Sequence, residues 1–167
     1  KNGGQGAPLT PVFHKLLVKE NKINLPVTII NIGGIANKTV IDKEYLQSND
    51  IGPGNCLIDE WVRKNSTLKY DTAGKIAQKG KINKKVLAYA LEKINLNKPI
   101  NLSYDLKDFD LSLFRNLSFE DGVATITEYT ANMIQASINS MVDPGEILIS
   151  GGGRKNDFLV YRIKNKI

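Results

Sequence analysis

Apolar residues follow two rhythms along this chain, and the switches between them predict the order of its elements. Pro8 and Pro11 bracket a short turn, after which Val12, Phe13, Leu16 and Leu17 recur at helical spacing and predict one face of a brief helix. Pro26 precedes Val27-Thr-Ile-Ile-Asn-Ile32, a β-branched run suited to a buried strand. Lys38-Thr-Val-Ile41 reads as its hairpin partner, with Gly33-Gly34 as the turn or bulge between them. Gly54-Asn55 ends a loop, and Leu57, Ile58, Trp61 and Val62 follow on one helical stripe, which makes Trp61 a core anchor rather than a base-stacking residue. Another helix covers Lys84–Lys93, with Val86, Leu87, Tyr89, Ala90, Leu91 and Ile94 as its buried face. Residues 95–110 are polar, contain Pro99 and read as a long surface loop.

Ser118-Phe-Glu-Asp121 is a capping signal of the Ser-x-x-acid kind, and a long helix follows to about Met141. Asp143-Pro-Gly145 stops it. Glu146-Ile-Leu-Ile149 is a short strand running into Gly151, Gly152 and Gly153, and Asn156 caps a last helix carrying Phe158, Leu159, Tyr161 and Ile163. Strand, glycine turn and helix in that order are a nucleotide-site arrangement of α/β proteins.

Three glycine-centred segments therefore stand out: Asn31-Ile-Gly-Gly-Ile-Ala-Asn37, Asp50-Ile-Gly-Pro-Gly-Asn55 and Ser150-Gly-Gly-Gly-Arg-Lys-Asn156. Backbone that turns sharply at a strand end presents bare N–H groups to phosphate. With a fourth cluster at Gly3-Gly4-Gln5-Gly6, they point to a nucleotide-dependent sugar or carboxylate kinase. Neither Gly-x-Gly-x-x-Gly nor Gly-Lys-Ser/Thr occurs, so the dinucleotide fingerprint and the Walker loop are both excluded.

Composition changes this picture little. The 167 residues are 41% hydrophobic and 24% charged, as expected of one globular domain with a continuous core. The net charge of +6 is spread over scattered lysines, without an Arg-rich block or interleaved aromatics, so no nucleic-acid partner is expected. One cysteine, Cys56, excludes an internal disulfide and a Cys-rich metal site, and suits a reducing compartment such as the cytoplasm. The one histidine, His14, lacks the partners of a zinc site and is expected to be packed or at the surface. No segment approaches the roughly 20 apolar residues of a membrane span. The chain starts without Met, and Lys164-Asn-Lys-Ile167 falls within a helical pattern, so both ends read as cuts in a longer protein.

Gly3-Gly-Gln-Gly-Ala-Pro-Leu-Thr-Pro11, the Asn31–Asn37 string, Gly52-Pro-Gly-Asn-Cys-Leu-Ile-Asp-Glu-Trp61 and Gly151-Gly-Gly-Arg-Lys-Asn156, in this order, resemble the bacterial anhydro-N-acetylmuramic acid kinase family. The resemblance runs through nearly the whole chain. It implies a lobe of the actin-like ATPase and sugar kinase (ribonuclease H-like) fold, a mixed sheet flanked by helices, mostly the second of two lobes that close over ATP, Mg²⁺ and sugar. The implied reaction is hydrolytic opening of the 1,6-anhydro ring with phosphorylation of the 6-hydroxyl, in recycling of cell-wall sugar.

Roles follow from the resemblance residue by residue. Gly33 and Gly34 would form the second phosphate-contacting hairpin. Gly151, Gly152 and Asn156 match the turn that abuts adenosine, and Gly52, Gly54, Asn55 and Asp59 match a segment near the cleft. Asp59 fits two roles, an acid favoured by the helix dipole or a carboxylate that orients a loop or metal-bound phosphate. Gly3, Gly4, Gln5 and Gly6 match the stretch after the catalytic aspartate, at the sugar end, so that aspartate is expected just upstream of Lys1. The family's first phosphate loop and the last part of the second lobe are absent. Ile51 stands where the family usually has Thr, and Leu102-Ser103-Tyr104 departs from a Pro-Lys-Ser pattern. The expected partners are ATP and a small sugar, and either the missing kinase lobe or a homodimer partner. A non-catalytic nucleotide-binding remnant and one half of a split kinase are the alternatives.

Overall fold

The computed structural model describes residues 10–94 and 103–166. Helix α1 (Thr10–Glu20) leads into a three-strand meander, β1 (Val27–Ile32), β2 (Ile35–Ile41) and β3 (Leu46–Pro53). Helices α2 (Cys56–Asn65), α3 (Lys84–Lys93) and α4 (Phe119–Asn139) follow, joined by short 3₁₀ turns. Strand β4 (Glu146–Ser150), a 3₁₀ turn at Gly152–Lys155 and helix α5 (Asp157–Lys164) complete the described chain.

The sheet order is β3-β2-β1-β4. The meander is antiparallel, while β4 lies parallel to β1 with Val27 opposite Glu146 and Asn31 opposite Ser150. The expected hairpin is present, with Gly33-Gly34 as its turn. The loop expected to end at Gly54-Asn55 needs correction: the chain before it is a strand, Leu46–Pro53. Among the described residues it is an edge strand, and Gln47, Ser48 and Asn49 hide the alternation that marks a half-buried strand.

One face of the sheet carries the main core. Ile30 and Ile32 of β1 and Ile51 of β3 pack with Trp61 and Val62 of α2, Ile126 and Ile134 of α4, and Leu159 and Ile163 of α5. Trp61 is the anchor its stripe predicted. Its Nε1 donates to the Phe119 carbonyl oxygen at 3.0 Å, and its ring lies where a Cβ on Gly122 would stand. Ser118 caps α4 by accepting from the Asp121 N–H, and Asn156 caps α5 by accepting from that of Leu159 at 3.0 Å. Glu128, buried in α4, clamps α5 by pairing with Arg162 Nε at 2.5 Å and Lys166 Nζ at 2.9 Å.

The opposite face carries a smaller cluster of Val18, Val27, Ile29 and Ile41 under α1. Here the expected helix exists, but the side it buries differs. His14 and Val18 face the sheet, with His14 Nδ1 3.0 Å from Thr39 Oγ1, while Val12, Phe13, Leu16 and Leu17 are exposed. Two further readings need correction. Tyr89 of α3 is exposed, with Lys93 Nζ over its ring, and the expected loop, irregular over most of 103–110, holds a 3₁₀ turn at Leu106–Asp108 and buries Phe109. Residues 95–102 of that expected loop lie outside the described residues, as does the Gly3-Gly4-Gln5-Gly6 cluster.

Candidate functional site

The C-terminal ends of β1 and β4, being parallel neighbours, deliver two glycine turns side by side. Between them enters the N-terminus of α2, and hydrogen bonds fix its position. The Gly54 and Cys56 N–H groups donate to the Gly34 carbonyl at 2.9 and 3.1 Å, and the Asn55 N–H donates to that of Gly33 at 2.8 Å. The N–H groups of the N-cap Asn55 and of Cys56, the first residue of α2, are thus taken by the hairpin. Asn55 Nδ2 donates to the Ile32 carbonyl at 3.4 Å, so the same residue also braces the end of β1.

Beside this junction opens a pocket of about 360 Å³. Asn55 and Asp59 of α2 form one wall, and Gly152, Lys155 and Asn156 of the turn before α5 form another. The third wall is Tyr70, Asp71, Thr72 and Ala73. Four of the residues expected at the nucleotide therefore come together: Asn55, Asp59, Gly152 and Asn156. Gly33, Gly34, Gly52, Gly54 and Gly151 do not line it; the first two and Gly54 form the hairpin junction next to it.

Steric room separates the glycines into two groups. A Cβ on Gly54 would stand 2.3 Å from the Gly33 carbonyl oxygen, and one on Gly151, whose φ is +80°, would stand 2.6 Å from that of Ile32. Gly52 backs onto Met133. Gly54 and Gly151, which meet backbone, are required by the packing. Gly34 differs: a Cβ there meets nothing within 4 Å, and neither Gly33 nor Gly34 has a left-handed φ. On Gly152 the nearest atom to a Cβ is Asn55 Nδ2 at 3.9 Å. The fold does not need glycine at Gly34 or Gly152, and both border open space. A bare backbone bordering such space is what close approach of a ligand requires.

The Tyr70–Ala73 wall had no periodic signal in the sequence, and its turn-forming Asp-Thr-Ala-Gly composition was the available cue. Asp71 holds it in place, accepting the Ile76 and Ala77 N–H groups at 2.8 and 3.0 Å with its two carboxylate oxygens. Ala73 is held at φ +55°, in the left-handed region that a residue with a Cβ rarely adopts. Its neighbour Gly74 packs against the Asn156 and Phe158 side chains. Such local strain beside a pocket marks a wall fixed by its surroundings. With Asp71 committed to backbone, Asp59 is the carboxylate left facing the pocket. Burial pushes its pKa up, Arg63 opposes that, and Asp71 adds to it.

A larger cleft of about 800 Å³ lies elsewhere, between β2–β3 and the C-terminal half of α4. No glycine lines it, though Asp50 and Ile51 do, and its amine is engaged: Lys38 Nζ donates to the Ser137 carbonyl at 3.0 Å, with burial lowering its pKa. Among the described residues no cluster of three or more His, Cys, Asp or Glu could hold a metal by itself, and no helix is long and apolar enough to cross a membrane.

The family profile for anhydro-N-acetylmuramic acid kinase matches residues 1–167. A protein of that name from Pelagibacter ubique is 45% identical over 175 residues, covering 99% of this chain and 47% of the relative. Another from Zymomonas mobilis is 38% identical over 157 residues, covering 92% of this chain and 42% of the relative. The chain thus spans about half the length of the curated relatives it matches. Among solved structures, an activator of 2-hydroxyisocaproyl-CoA dehydratase from Clostridium difficile, with bound ADPNP, is similar at a TM-score of 0.56. At 17% identity over 87% of this chain and 52% of that one, the likeness is one of fold: an α/β lobe with a mixed sheet flanked by helices.

Proposed function

Because this chain belongs to the anhydro-N-acetylmuramic acid kinase family, we propose that it is the nucleotide-contacting lobe of an ATP-dependent kinase acting on 1,6-anhydro-N-acetylmuramic acid. The observation that carries the nucleotide assignment is the free space over Gly34 and Gly152, glycines the fold itself does not require. Gly152 and Asn156 bound a pocket large enough for a nucleoside, and the Gly33-Gly34 turn stands next to it where phosphates would lie. ADPNP bound by the activator of like fold supports the same reading.

Asp59 is the carboxylate placed to orient Mg²⁺ carried by the phosphates, since Mg²⁺ is commonly held by one or two carboxylates and the substrate's own phosphate oxygens. The sugar would meet the Gly3-Gly4-Gln5-Gly6 segment. An aspartate upstream of Lys1 would activate the water that opens the ring, freeing the 6-oxygen to attack the γ-phosphate. These 167 residues lack that base and the first phosphate loop, and are therefore expected not to turn over sugar unaided. They would act with the rest of the kinase polypeptide or as a nucleotide-binding remnant, in the cytoplasm, where ATP and a reduced Cys56 belong.

Calorimetric titration of the chain with MgATP tests the lobe assignment. Wild type should bind, and Gly152→Leu, which fills pocket space without a backbone clash, should weaken binding at least about tenfold while leaving the unfolding midpoint unchanged. Equal binding by both proteins, or none by folded wild type, would remove the assignment. Phosphorylation of the anhydro sugar by the chain alone would remove the claim of inactivity.

A further inference from the structure

Helix α1 is apolar on two opposite sides. His14 and Val18, one turn apart, lie against the sheet and are buried. Val12, Phe13, Leu16 and Leu17 are 61, 58, 55 and 36% exposed. At about 100° per residue, the mean direction of these four lies roughly opposite that of His14 and Val18. A helix that is apolar on two opposite sides can bury both only between two layers. The described residues supply one layer, the sheet. The outer stripe is continuous and not a scatter of single apolar residues, which is the signature of a contact surface.

We propose that the outer stripe of α1 is a docking surface for the part of the kinase polypeptide that the longer relatives carry outside the stretch matched by these 167 residues. Two observations select that occupant over a second copy or a separate protein. The chain matches the Pelagibacter relative over 99% of its own length but only 47% of the relative's, so the remaining half of that fold is available to form the second layer. The stripe is also small. An 11-residue helix is roughly 16 Å long and about 10 Å wide, far short of the ~800 Å² per partner that a stable independent complex buries. A segment of the same polypeptide needs no such area, because the covalent connection gives it an effective concentration on the order of millimolar. Exposed Lys15 and Lys19 flank the stripe and give it a polar rim. The inference rests on the family membership and is independent of the nucleotide reading of the Gly152 pocket.

The test compares two proteins: this chain alone, and a chimera in which it replaces the matched stretch of the Pelagibacter relative. Phe13→Asp and Leu16→Asp are introduced together into each. In the chain alone both positions face water, so the thermal midpoint should move by no more than about 2 °C. In the chimera the charges would be forced into an apolar contact, and the midpoint should fall by about 5–10 °C. Should the chimera not fold, aspartates at the two matched positions of the natural Pelagibacter protein give the same readout. Equal small shifts in both settings would overturn the proposal. So would a concentration-dependent dimer of the chain alone that the double substitution dissociates, since the stripe would then belong to a second copy. Titration with MgATP in parallel keeps the two readings apart: its failure would count against the pocket and not against the stripe.

Discussion

Gly54→Ala should loosen the junction on which the candidate site is built. An added Cβ would stand 2.3 Å from the Gly33 carbonyl oxygen and 3.1 Å from that of Gly34. Carbon–oxygen contacts of this kind settle at about 3.3 Å, so the turn and the start of α2 must part by roughly 1 Å. Three hydrogen bonds cross that gap, at 2.8, 2.9 and 3.1 Å, and a shift of this size stretches them past the useful range. Each contributes about 0.5–1.5 kcal/mol net. Against this, replacing glycine restricts the unfolded chain and returns about 0.4–1 kcal/mol. The expected net loss is about 2 kcal/mol. Gly34→Ala is the matched control, because its Cβ meets nothing within 4 Å and its φ lies outside the left-handed region. It should unfold within about 0.5 kcal/mol of wild type, or be slightly more stable. Urea unfolding followed by far-ultraviolet circular dichroism gives both midpoints and slopes. A Gly54→Ala midpoint equal to wild type, or equal losses in the two variants, would refute the steric argument.

Two further outcomes concern charge. Glu128→Gln should cost about 2 kcal/mol at pH 7, since it removes the charge from two bonds that tie α4 to α5. Burial raises the Glu128 pKa, but the bonds from Arg162 and Lys166 outweigh it and hold the group below its ordinary 4.5. The advantage of wild type over Glu128→Gln in urea should therefore be complete above pH 4.5 and shrink as pH falls through the lower folded value; a constant gap down to pH 3 would contradict this. His14 is held below its ordinary 6.5 by burial. The unfolded chain then takes up a proton that the native chain resists, so its contribution is complete above pH 6.5 and declines as pH falls through the depressed native value. The urea midpoint of wild type should drop between pH 7.5 and 5.5 more steeply than that of His14→Gln, and parallel profiles would dismiss His14 as the cause.

The elements with strong periodicity were legible in the sequence. The Val27–Ile32 run, the capped helix after Ser118 and the strand-turn-helix at Glu146–Lys164 all stand where the pattern puts them. Strand β3 was not, because Gln47, Ser48 and Asn49 interrupt its alternation. Helix α1 misled in another way: the more apolar side of an amphipathic helix is expected to face inward, yet here it faces out and a histidine faces in. The glycine turns were visible as motifs, but Gly34 and Gly54 look alike in a sequence. They differ only in what a Cβ would meet, which depends on a contact between the hairpin and α2. The Tyr70–Ala73 wall is irregular backbone held by Asp71, and such structure leaves little periodic trace.

Trp61 is the chain's one tryptophan, and its indole is buried, hydrogen-bonded and pressed against Gly122 of α4. It stands two positions after Asp59 on the helix whose first residues brace the hairpin and wall the pocket. Its emission, excited selectively, is therefore a native optical gauge of whether α2 is seated, with no second tryptophan to compete and no need for a label. Any event that lifts α2 from α4, including one begun at the glycine turns, wets this ring and shifts its spectrum to the red.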